Sequence, residues 1–86
     1  MGKDYRKSTD NKNNAKKVMQ EIVGNAPDKN TSKKLVDKLK KVCSDAPHKG
    51  CRFVKKGSDF EFQPLDNNGE PEGKIYKLSS WIQKNI

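Results

Sequence analysis

The sequence predicts an α+β domain made of two N-terminal helices, a β-hairpin and a C-terminal helix, and three observations lead to it. Apolar residues recur at helical spacing over 14–24 and again over 31–46. The apolar period falls to two beyond Gly50, and Leu78, Trp81, Ile82 and Ile86 then return to helical spacing. With 86 residues, of which 30% are apolar and 35% charged, the chain has material for one small core.

The first helix is expected over 14–24. Ala15, Val18, Met19, Ile22 and Val23 share one face, Asn14 can cap the start, Gly24 can supply a left-handed C-terminal residue, and Pro27 prevents continuation. Residues 1–13 carry only Tyr5 beyond polar and small side chains and the initiator Met. They are expected to form a flexible basic arm, leaving 14–86 as the single compact domain. The second helix is expected to open at Thr31 or Ser32 and to stop at Pro47. Its apolar arc of Leu35, Val36, Leu39, Val42, Cys43 and Ala46 leaves Lys33, Lys34, Lys38, Lys40 and Lys41 on the remaining surface, interrupted by Asp37 alone. The connection of 25–30 allows either a helical hairpin or a helix-turn-helix angle.

Cys51 and Phe53 alternate with Arg52, and Phe60 and Phe62 with Glu61, which predicts a hairpin with a loop of about four residues around Gly57 and Ser58. Pro64 ends the second strand or keeps it at an edge. Residues 66–73 are turn formers and are expected to be a mobile acidic loop. Ile75, Tyr76 and Leu78 can add a third strand before Ser79 or Ser80 caps the last helix, the alternative being one helix from 74 onward. Two helices followed by a hairpin give a winged-helix-like layout.

The formal charge of +8 is unevenly placed, with a net +10 over 1–56 and −2 over 57–86. Within 29–56 there are ten bases and two acids. Such asymmetry points to a polyanion. Lys33, Lys34, Lys38, Lys40, Lys41, Lys49, Arg52, Lys55 and Lys56 are therefore the candidate nucleic-acid contacts. Lysine is a point charge that favours phosphate over bidentate base contact, so low sequence specificity and an architectural or genome-coating role are expected, on DNA in preference to RNA. The three Phe residues and Trp81 are assigned to the core, not to base stacking, which argues for a duplex. The alternative is a protein-interaction module, a small inhibitor or adaptor docking an acidic partner.

Enzymatic chemistry lacks support, because the single His48 lies beside no nucleophile or carboxylate motif and no phosphate-cradling glycine loop occurs. No cofactor is implied. Cys43, His48 and Cys51 are zinc-type ligands, but three ligands at this spacing match no standard finger, so no metal is expected. The cysteines are expected to be reduced, buried and small, in an intracellular, soluble protein, since no apolar run reaches membrane-spanning length and no hydrophobic leader stretch is present.

Residues 49–54, KGCRFV, share basic, Gly, Phe and Val positions with the RNP1 strand of RNA-recognition domains. They depart from it where aromatics are required, at Cys51 and Lys56, and the strand that should precede the first helix is missing. The heptad GCRFVKK, Gly50 to Lys56, following a helix and preceding an aromatic strand, resembles the GRFLKK-type core of a small uncharacterised domain widespread in diatom proteins. That resemblance implies a compact α+β unit over 14–86, with Phe60 or Phe62 where the domain has Trp. It carries no function.

Overall fold

The computed structural model describes residues 4–44 and 50–86. A short 3-10 turn, Tyr5–Lys7, leads into α1 (Thr9–Asn25) and α2 (Lys29–Ser44). Then follow β1 (Cys51–Lys56), β2 (Asp59–Pro64), β3 (Tyr76–Lys77) and α3 (Leu78–Asn85). The three strands form one antiparallel sheet in the order β1-β2-β3. The α+β class with its hairpin and C-terminal helix is as the sequence predicts.

The helices cover one face of the sheet. Phe53 and Phe62 are direct cross-strand partners, and the core gathers around Phe62. Its ring stacks on Tyr76 at 5.1 Å and meets Trp81 edge-on at 5.6 Å, both favourable aromatic geometries. Val18 and Ile22 from α1, Leu35 and Leu39 from α2, and Leu78 and Ile82 from α3 close over this cluster. Phe53, Phe60, Phe62 and Trp81 are all buried, as expected from the sequence.

Several boundaries differ from expectation, each for an identifiable reason. Residues 4–13 are not an unstructured arm, because α1 begins at Thr9 with the Ser8 hydroxyl accepting from the Asn11 N–H, not at Asn14. Asn11 is buried, and its carboxamide treats the outer edge of β1 as a neighbouring strand would. It donates to the Cys51 carbonyl at 2.9 Å and accepts from the Phe53 N–H at 2.7 Å. Asn14, expected as the cap, donates to the Phe53 carbonyl instead. Gly24 lies inside α1, which runs to Asn25, and Val23 points to solvent.

The start of α2 is capped by Asp28, whose carboxylate accepts from the Thr31 N–H at 2.7 Å, so neither Thr31 nor Ser32 is the cap. The hairpin loop is two residues rather than four. Gly57 takes φ +62° at its first position, the conformation a tight primed turn requires, and the register continues to Lys56 and Asp59.

Segment 66–73 is a tied turn. The Asp66 carboxylate accepts from the N–H groups of Asn68 and Glu70, and Leu65 bridges to Pro71. The Tyr5 N–H donates to the Gly69 carbonyl, and Gly69 (φ +81°) sits so close beneath Asp4 that a Cβ would collide with its carboxylate. The Arg6 guanidinium, hydrogen-bonded to Asp4, holds that carboxyl below the usual carboxylate range.

The third strand is only Tyr76–Lys77, and Ile75 and Ile86 are exposed, leaving both outside the core. Neither Ser79 nor Ser80 caps α3 with its side chain. The carboxylate of Asp59, at the start of β2, reaches the helix start and accepts from the Ser79 hydroxyl at 2.7 Å and the Ser79 N–H at 3.3 Å. Partial burial raises the Asp59 pKa. The hydrogen bonds from Ser79 and the Phe60 N–H, with Lys77 nearby, outweigh it and hold the carboxyl below its ordinary value.

Two outcomes follow. Asn11→Ala leaves a buried strand edge without partners and should cost about 1–3 kcal/mol, read as a fall in Tm of roughly 5 to 20 °C. An unchanged Tm would show that water satisfies that edge. For Asp59 the folded pKa is depressed, so its stabilisation is complete above the unfolded-state value and is lost as pH falls through the folded one. Asp59→Ala should therefore melt below wild type at pH 7, and the gap should narrow below about pH 4. A gap independent of pH would mean that the ionised carboxylate is not what caps α3.

Candidate nucleic-acid interface

The direction of the lysine-rich face is set by what α2 buries. Leu35, Leu39 and Cys43 form its inner line, fully or almost fully buried, so the opposite line at i, i+4, i+7 and i+11 is Asn30, Lys34, Asp37 and Lys41. All four are exposed. Lys29, Lys33 and Lys40 lie along one flank of this crest and Lys38 on the other. No ion pair or side-chain hydrogen bond engages any of these cations among the described residues.

The two helices form a hairpin, which settles the angle that the sequence leaves open. At one end Val23 and Ala26 of α1 meet Lys29, Ser32 and Lys33 of α2 around a shallow depression. At the other end Cys51 joins both helices, its carbonyl accepting from Asn11 in the first turn of α1 and its sulfur bonded to Cys43 in the last turn of α2. Lys12 and Lys16 share the flank of α1 that carries Val23, at i, i+4 and i+11, and both are exposed. The sequence reading omits both from the site and places Lys12 in a free arm. The signal was the Ser8 cap and the helical spacing of 12, 16 and 23.

The remaining predicted contacts are divided by the sheet. Cys51 and Phe53 face the helices, so Arg52 and, by alternation, Lys56 belong to the opposite face. The Arg52 guanidinium lies 4.9 Å over the Tyr5 ring there. Lys55 is exposed near the hairpin tip. Lys49 lies outside the described residues, as does His48. The five α2 lysines are thus brought together, while Arg52 and Lys56 stand on the far side of the molecule.

The expectation of two reduced thiols is corrected. Cys43 and Cys51 form a disulfide across Cα atoms 5.0 Å apart, so neither has a thiolate to offer a metal. Their separation of eight residues spans the end of a helix and the start of a strand, and only packing brings the two together. Among the described residues no helix is long and apolar enough to cross a membrane.

Closing a loop of this length contributes about 2.5 kcal/mol in the chain-entropy picture. Reduction should therefore lower Tm by roughly 10 to 20 °C. Alkylation of the denatured, unreduced protein should add no label. Uptake of two equivalents would show free thiols instead. Set against family models, curated proteins and solved structures, the chain matches none.

Proposed function

We propose that this domain is a non-enzymatic nucleic-acid-binding protein that grips the phosphate backbone of a duplex, DNA in preference to RNA, with the outer face of α2. The observation that carries this reading is the segregation of six exposed lysines, Lys29, Lys33, Lys34, Lys38, Lys40 and Lys41, on the surface of one helix that holds a single acid, Asp37. Neutralised phosphates release condensed counterions, and that release drives binding. The hairpin follows α2 in the chain, the order a wing would have, and carries Lys55 exposed near its tip. The burial of Phe53, Phe60, Phe62 and Trp81 supports a duplex over a single strand, because these rings are not available to stack on bases.

The test is a gel-shift series on duplex DNA, duplex RNA and single strands at several salt concentrations. With about five phosphates neutralised, log affinity should fall against log salt with a slope of roughly −4 to −5. Reversing Lys34, Lys38 and Lys41 to Glu should sharply reduce both affinity and slope. The matched reversal of Lys74, Lys77 and Lys84, exposed at the other end of the chain, should cost much less. Equal losses would mean diffuse charge attraction. No retention of any nucleic acid at physiological salt would overturn the reading in favour of an acidic protein partner.

A further inference from the structure

A face built solely to hold phosphates has no use for an acid at its centre, yet the crest of α2 carries Asp37 between Lys34 and Lys41, with Asn30 one further step along the same line. Asp37 has lysines at all four positions one turn away, Lys33, Lys34, Lys40 and Lys41, and makes no ion pair with any of them among the described residues. If α2 lay along a phosphate ridge, the carboxylate would face the polyanion and weaken binding. Set into a groove, the same carboxylate is carried past the phosphate rims to the floor, where hydrogen-bond donors are exposed.

We infer that α2 enters the major groove of B-form DNA and that its crest, Asn30, Lys34, Asp37 and Lys41, faces the base edges. Lys33 and Lys40 hold one phosphate rim and Lys38 the other. The inference rests on the nucleic-acid reading above and adds to it a duplex form, a groove and a source of sequence preference.

The dimensions agree. A helix with its side chains is about 10–12 Å across, and the major groove of B-DNA is about 12 Å wide. The major groove of A-form RNA is too narrow to admit it. Asn30 to Lys41 rises by about 16 Å, which spans roughly five base pairs.

The crest chemistry agrees as well. A carboxylate accepts from the N4 amino group of cytosine, a carboxamide pairs with adenine N6 and N7, and an ammonium donates to guanine O6 and N7. Lys12 and Lys16 lie exposed on the flank of α1 that carries Val23, and Val23 meets Lys29 and Lys33 of α2 where the two helices join. The two α1 lysines extend the contact to one strand beyond the groove that α2 fills.

In vitro selection from a random duplex DNA library with the full chain tests this. The wild type should enrich a motif of about four to five base pairs, with a cytosine whose replacement weakens binding roughly tenfold. Asp37→Ala should lose discrimination at that pair alone while its affinity for unrelated duplexes rises, because one negative charge has gone. Asp37→Asn should move the preference at that pair from cytosine toward adenine. Asp37 is exposed, and thermal melts of both variants should match the wild type.

Four results overturn the inference. If the wild type binds duplexes but enriches no motif, or if Asp37→Ala gains equally on every sequence with no position relaxed, α2 rides on phosphates and the backbone-binding reading stands. Equal affinity for duplex RNA rejects the groove assignment in the same way. Failure to bind any duplex removes both readings together.

Discussion

The outer edge of β1 is the constraint around which the rest of the molecule is arranged. A strand with one unpaired edge in a three-stranded sheet must pair, be covered, or present its backbone groups to another chain. Here the cover is a side chain. The Asn11 carboxamide supplies one donor and one acceptor in the spacing of a backbone neighbour, meeting the Cys51 carbonyl and the Phe53 N–H, and Asn14 meets the Phe53 carbonyl one turn later. Those bonds fix where α1 lies on the sheet and which of its faces turns inward. Val18 and Ile22 are thereby set over the aromatic cluster around Phe62.

Two further links hold the remaining elements, each between residues of different elements. Cys51 is bonded through its sulfur to Cys43, so the end of α2 is brought to the strand on which α1 already sits. Asp59, at the start of β2, caps α3 by accepting from both the hydroxyl and the N–H of Ser79. A chain with so few apolar residues gains little from core area alone. Polar side chains at element junctions complete the definition of the fold.

This economy also explains the distribution of charge. Every large aromatic ring except Tyr5 is buried in the core or packed against it, and the basic residues of α2 are left with solvent on the side opposite Leu35 and Leu39. The face they make is one helix wide and is not continued by Arg52, whose strand alternation sends it to the other side of the sheet.

The amphipathic periods of α1 and α2, the alternation of Cys51 and Phe53 against Phe60 and Phe62, and the lysines opposite Leu35 and Leu39 were all legible in the sequence. They are local patterns, and burying the apolar line of a helix or strand determines what its other side presents. The partnership of Asn11 with β1, the Cys43–Cys51 bond, the capping of α3 by Asp59 and the docking of Tyr5 and Asp4 on Gly69 were not legible. Each depends on two segments meeting, and nothing in the spacing of either segment states that they do. An asparagine in a polar run looks the same whether it faces water or completes a sheet. Only the tertiary structure, by withdrawing water from the edge of β1, made Asn11 its necessary partner and moved the start of the domain ahead of it.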